Sequence, residues 1–285
     1  MPDNNYRVRI PEQPYPGRRL GRHVNHDPRS KRYLVGQPVR AIQSVLHERQ
    51  VPVFDQGNLG SCTGNASVGA VGTAPLYVTL PANHPTLDES LAVKVYSAAT
   101  ALDSYPGTYP PDDTGSDGLS VAKALVNLGL ISGYLHATSL TAVQSALQDT
   151  PVIVGTNWYE GMFDPDSSGQ VRISGAVAGG HEYELIGLDV DQKLFQAVNS
   201  WGPSWGKAGH FFISFADLDR LLHEDGDCTQ FVPLTAPPPI PGPVADKDLE
   251  AWWVATRSWA HGRHVGGNAA AAKAALTFAA AKGLS

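Results

Sequence analysis

Three short stretches of this chain carry residue types able to do covalent chemistry together. The first is Gln56-Gly57-Asn58-Leu59-Gly60-Ser61-Cys62-Thr63. A cysteine opening a helix sits among unpaired N–H groups and at the positive end of the helix dipole, which favours an anion. The thiolate is the attacking form of the side chain. A glutamine six residues earlier can fold back across the turn, so that the Gln56 amide joins the Cys62 backbone N–H in holding a developing oxyanion. The second stretch is Gly179-Gly180-His181-Glu182-Tyr183-Glu184-Leu185-Ile186-Gly187-Leu188-Asp189. It reads as a glycine turn entering a strand, with His181 as general base and glycines that permit close approach by a substrate backbone. The third is Val198-Asn199-Ser200-Trp201-Gly202-Pro203-Ser204-Trp205-Gly206, between the strand patterns KLFQAV and KAGHFFIS. Each stretch has a plain structural explanation: a buried inert thiol, a satisfied histidine at a strand end, a turn with two core tryptophans. Those explanations do not account for the third stretch following Gly-Gly-His by about one hairpin.

Together the three motifs resemble the papain-like (C1) cysteine peptidases. The Gln-x5-Cys spacing and the Gly-Ser-Cys triplet stand here as Gln56, Gly60, Ser61 and Cys62, and the histidine strand and Asn-Ser-Trp-Gly follow in the family's order. The wording QGNLGSCTGNA is closer to bacterial and phage members. The resemblance implies a catalytic set of Cys62 as nucleophile, His181 as base, Asn199 orienting the histidine and Gln56 as oxyanion donor. It also implies that Trp201 covers the His181–Asn199 bond, and that Gly180, Trp201 and Gly118 (in Asp117-Gly118-Leu119, where the family lays a backbone edge against its substrate) contact the substrate. Thr63 replaces the commoner Trp. Glu182 replaces a small residue, and an acid there would shift the His181 pKa or shape the leaving-group side. His181 follows Cys62 by 119 residues and Asn199 follows His181 by 18, somewhat tighter than the roughly 130–150 residues usual for the first interval and so suggesting shortened surface loops.

Metal chemistry fits less well. HEYEL has Leu185 where a zinc motif needs its second histidine. The calcium-like opening at Asp164 has Gly175 at its twelfth position instead of a bidentate glutamate. The expectation is no metal and no cofactor. Cys62 and Cys228 are the two cysteines; a bridge between them would consume the nucleophile, so Cys228 reads as a structural free thiol.

The elements that must position these residues follow from the pattern of the 285-residue chain. Hydrophobic content of 42% with 17% charged residues marks a globular chain, and 29 glycines with 22 prolines imply many turns. Helices are predicted over residues 40–49, 87–102, 119–129 and 139–148, and strands over PVIVGTNW, QVRISGAV, HEYELIGLDV, KLFQAVNSW and GHFFISF; a helix over 62–71, whose glycines are poor helix formers, is expected from the resemblance. The fold class is therefore α+β with two lobes, and the resemblance implies that it is the papain-like two-lobe fold, a helical lobe followed by a mainly β lobe. Its expected domains are a basic, proline-rich arm (1–39), the peptidase domain (40–235), a proline linker (236–245) and a small helical hairpin (246–285). The tail cluster Trp252, Trp253, Trp259 and Phe278 reads as that hairpin's core, with a contact to a cell wall or virion as the alternative.

The net charge of −6 is unevenly spread: residues 1–50 hold 10 Lys and Arg against 4 Asp and Glu, leaving 11 against 23 beyond. The basic arm is expected to lie on the acidic body and to stay there. Its arginines alternate with Pro and Gly without aromatic interleaving, so neither nucleic acid nor membrane is expected as partner, whereas the resemblance implies a polypeptide substrate. No apolar run reaches the roughly 18 residues of a membrane helix, and the N-terminus lacks a signal-peptide core. Cytoplasmic synthesis is expected, with release by another route or virion association. Three functions fit: a thiol peptidase, a thiol amidase or endopeptidase on bacterial wall peptides, and a non-catalytic protein keeping a peptidase fold.

Overall fold

The computed structural model describes residues 6–12, 15, 18–27, 34–35 and 41–234. The chain divides into Met1–Pro233 and Leu234–Ser285. The expected proline linker and C-terminal hairpin lie outside the described residues.

The helical lobe comprises α1 (Cys62–Val71), α2 (Glu89–Leu102) and α3 (Gly118–Asn127). Every residue of α1 is buried. Its glycines make that possible: a Cβ at Gly64 would lie 2.3 Å from the Ala92 carbonyl oxygen of α2, and one at Gly69 would lie 2.6 Å from the Arg49 guanidinium. Tertiary packing therefore overrides a composition of poor helix propensity. The other helices start on side-chain caps. Asp88 accepts from Leu91 N, Asp117 from Ser120 N, and each satisfies an otherwise orphaned donor.

The second lobe is a seven-stranded sheet. Its strands are β3 (Val45–Leu46), β4 (Gly133–Ala137), β5 (Val152–Tyr159), β6 (Val177–Asp189), β7 (Leu194–Val198), β8 (His210–Ser214) and β9 (Asp227–Val232). They lie in the order β4-β9-β5-β6-β7-β8, with β3 paired to β6. Helices α4 (Leu140–Ala146) and α5 (Phe215–His223) accompany the sheet. Alternation along β5 joins the two cores. Val152 and Val154 enter the sheet-lobe cluster with Trp158, Tyr183 and Phe211, whereas Ile153 enters the helical-lobe cluster with Val68, Val95 and Val121. In the arm, β1 (Tyr6–Val8) and β2 (Val24–His26) form a small antiparallel ribbon.

Two predicted elements are not formed. Residues 41–49 are not a helix: Val45 and Leu46 pair with Leu188 and Gly187, so an available sheet edge wins over local propensity. Residues 170–176 are not a strand. Gly169 and Gly175 have φ of +86° and +80°, and a single bridge joins Gln170 to Phe212. In the two lobes, β4, α5 and β9 escape the sequence pattern, as do β1 and β2 in the arm. Strand β9 lies between two neighbours and carries buried Thr229 and Gln230, so its hydrophobic alternation is masked. Among the described residues, no helix is long and apolar enough to cross a membrane.

Candidate active site

Cys62 is the first residue of α1 and is wholly buried. The backbone N–H groups of Glu182 and Thr63 lie near enough to its sulfur to favour the thiolate, which sets the thiol near the residue next to His181. The helix terminus favours a thiolate, as the sequence suggests, but burial outweighs it and pushes the thiol well above its ordinary value, with the Glu182 and Glu12 charges adding to the rise. In this covered state the protonated thiol is the favoured form.

His181 lies on β6, its ring between Trp158 (centroids 4.9 Å, edge-on) and Trp201 (4.8 Å, stacked). Its Nε2 is 2.7 Å from Asn199 Oδ1. That oxygen also accepts from Ser200 N at 2.8 Å. Asn199 Oδ1 can only accept, so Nε2 carries the proton and Nδ1 keeps a lone pair. Nδ1 is buried without a hydrogen-bond partner. Burial holds the imidazole down at about 4, opposed in part by the Asn199 bond. Glu182 contributes nothing to that shift: successive residues of a strand face opposite ways, and its carboxylate sits elsewhere. Gln56 is buried beside Asn199. Its Oε1 accepts from Ser200 Oγ at 2.6 Å, and Nε2 donates to the Leu59 carbonyl at 2.8 Å.

The N-terminal arm runs through this site. Gly21 N and Arg22 N donate to the Gly180 carbonyl at 3.1 and 2.9 Å, while His23 N donates to Ser116 O (2.8 Å) and Ser116 N to Gly21 O (2.9 Å). The arm is thus a strand clamped between the residue preceding His181 and the segment preceding α3. The approach is close enough to require glycines. A Cβ on Gly21 would lie 2.2 Å from Gly60 O, one on Gly115 2.2 Å from Gly21 O, and one on Gly180 2.1 Å from Arg22 O. The Trp201 indole N–H donates to Arg19 O at 3.1 Å, and Leu20 is buried against Gly179. His23 is buried with Nδ1 accepting from Ile10 N (3.1 Å) and Nε2 donating to Thr114 O (2.6 Å).

Arg22 is buried completely. Its Nη2 donates to the Asp227 carboxylate and, at 2.8 Å, to the Asp225 carbonyl. Glu182 is its second electrostatic partner. Gly155 makes room for them: a Cβ there would lie 2.5 Å from Arg22 Nε and 2.6 Å from Glu182 Oε2. Gly118 borders the same space, 3.1 Å from Glu182 Oε1 and 3.2 Å from Asp227 Oδ1 measured from where its Cβ would be. The backbone edge that pairs with the arm is Ser116, two residues before Gly118.

The structure therefore gathers Gln56, His181, Asn199, Gly180 and Trp201 in one place, sets Cys62 near the Glu182 backbone, and leaves Gly118 a short way off. Sequence reasoning missed Arg22, Gly21, Ser116, Trp158 and Asp227. For the arm residues the excess of basic charge ahead of an acidic body was the available signal; for Asp227 there was none.

No family model matches the chain. Cathepsin B-like cysteine proteinase 6 of Caenorhabditis elegans is 30% identical over 98 residues, 33% of this chain and 26% of that protein. Gamete and mating-type specific protein A of Dictyostelium discoideum is 27% identical over 190 residues, 60% of this chain and 42% of that protein. The matches thus span well under half the length of either relative. Among solved structures, xylellain, a cysteine protease from Xylella fastidiosa, superposes with a TM-score of 0.59 at 15% identity, covering 78% of this chain and 100% of that one. Digestive procathepsin L 3 of Tenebrio molitor larval midgut gives 0.51 at 14% identity, covering 70% and 73%. With a helical lobe and a mainly antiparallel sheet lobe, this chain has the fold of the papain-like cysteine proteases.

Proposed function

We propose that the chain is a cysteine peptidase, held latent by its own N-terminal arm. One observation carries most of the weight: the Asn199 carbonyl fixes the His181 proton on Nε2, leaving a buried, unpartnered lone pair on Nδ1, while the Cys62 sulfur lies near the backbone of the neighbouring residue. With the arm withdrawn, water and substrate reach the thiol, and the desolvation that holds it protonated is relieved. His181 Nδ1 takes the Cys62 proton and the sulfur attacks a peptide carbonyl. The Cys62 backbone N–H, unpaired at the helix start, and the Gln56 amide stabilise the oxyanion. His181 then returns the proton to the leaving amine, and water hydrolyses the thioester. The trapped imidazolium would be shielded by Trp201 and Trp158, which keep its bond to Asn199 out of water.

Hydrolysis of an unstructured protein, measured before and after release of the arm, tests this. Cys62→Ala is expected to abolish cleavage in both states. Cleavage that survives this change would remove Cys62 from the mechanism, and an arm whose release leaves the rate unchanged would remove the latency.

A further inference from the structure

Resting on the peptidase function above, we propose that the cavity holding Arg22 is the enzyme's main specificity pocket and selects an arginine side chain of the substrate. The pocket is built for a guanidinium. Two carboxylates, Glu182 and Asp227, and the Asp225 carbonyl converge on it from β6, β9 and the turn before β9. Both oxygens of Glu182 and Oδ1 of Asp227 are buried and make no hydrogen bond within the protein. Asp227 pairs with the guanidinium through its other oxygen, and the remaining acceptor atoms of both carboxyls face a buried cation, so the pocket offers a guanidinium more partners than Arg22 takes up. Gly155 and Gly118 provide its floor, because any side chain at Gly155 would collide with both the guanidinium and Glu182.

The pocket lies beside the nucleophile. The backbone of Glu182 lies near the Cys62 sulfur and its carboxylate lines the pocket, so the side chain held there belongs to a residue close to the bond being cut. The arm shows how a backbone reaches it: Arg22 N bonds Gly180 O, and the flanking residues pair with Ser116. A guest's main chain can use the same groups once the arm has left. Beyond Asp227 the space opens into a cavity of about 510 Å³ whose wall includes Asp225, Asp227, His136, Thr229 and Leu222, which leaves room for a long side chain. The guanidinium is preferred to an ammonium because its planar fork can serve two carboxylates and a carbonyl at once. An acidic body, with 23 Asp and Glu against 11 Lys and Arg beyond residue 50, adds attraction for basic peptides.

The test uses the full chain carrying Arg22→Ala, in which the arm loses its anchor and the pocket its occupant. A peptide library with arginine, lysine or norleucine placed at each position in turn is digested, and kcat/KM is compared. One position is expected to favour arginine over norleucine at least twentyfold and over lysine by a smaller factor. Adding Asp227→Asn, and separately Asp227→Asn with Glu182→Gln, should bring the arginine-to-norleucine ratio towards one. Taking the ratio within each variant cancels any effect of Glu182→Gln on the neighbouring histidine. Equal rates for arginine and norleucine at every position, or a preference that persists after both charges are removed, overturns the proposal. If no peptide is cleaved, the peptidase function fails and the pocket is judged by binding instead. A labelled peptide of residues 18–26 should bind the Arg22→Ala chain at least tenfold more tightly than the same peptide with norleucine at position 22, and the difference should vanish in the charge-removed chain. Equal binding overturns it. Should Arg22→Ala not fold, Arg22→Lys retains a cation in the pocket without the fork, and the same ratios are read.

Discussion

His181 shows how one buried side chain can set a pH response. Its pKa falls from the ordinary 6.5 to about 4 on folding because burial penalises the imidazolium. The unfolded chain therefore binds more protons between those two values, and stability is lost as pH falls from 6.5 to 4, by on the order of 3 kcal/mol in the limit of complete burial. Buried His23 and His136 act in the same sense, whereas the raised carboxyls of Glu182 and Asp117 act against it. Urea unfolding at pH 7.5 and pH 4, compared between the parent chain and His181→Gln, isolates the contribution: the variant is expected to lose less stability on acidification, and an identical loss would refute the assignment. Removing the orienting amide with Asn199→Ala leaves the imidazole free to rotate. With a buried hydrogen bond worth about 1–3 kcal/mol, kcat of the activated enzyme should drop about ten- to a hundredfold with little change in KM. At this scale the sequence was largely readable, since Cys62, His181 and Asn199 each stand in a short motif. Arg22 and Asp227 were not, because their meaning arises only when residues 205 apart in the chain are paired.

Elements depend on packing that local pattern cannot show. Helix α1 has the wrong composition for a helix and was expected only because of the motif that opens it. The structure supplies the missing reason: Gly64 and Gly69 let α2, Arg49 and Glu184 close around it. Gly64→Ala places a methyl group 2.3 Å from a backbone carbonyl that cannot swing aside. It should destabilise the fold by roughly 1–3 kcal/mol, read as a lower urea midpoint at unchanged slope. Helix α5 was missed although its signals were present. Ser214 caps it, accepting from Asp217 N, and Leu218, Leu221 and Leu222 form its buried stripe. Residues 41–49 and 170–176 fail the other way, with strong local patterns that a sheet edge or a pair of positive-φ glycines overrules.

For the molecule as a whole, the basic arm on an acidic body was legible as charge, but its path through the cleft was not. Nothing in a proline-rich sequence marks Gly21 as the residue that must pass Gly60. Gly21→Ala should be unable to make that passage. The full chain with this change should be labelled at the cysteine by a thiol-reactive epoxide at least ten times faster than the parent, with no labelling when Cys62→Ala is added. Equal labelling rates would mean that the arm does not guard the thiol. The alternating side chains of β5 give a further consequence. Because Ile153 is rooted in one core and its neighbours Val152 and Val154 in the other, the two banks of the groove share a spine and cannot swing apart like jaws. On the latency proposed above, activation would be a peeling of the arm from a fixed channel, with a rate written in the arm's own sequence.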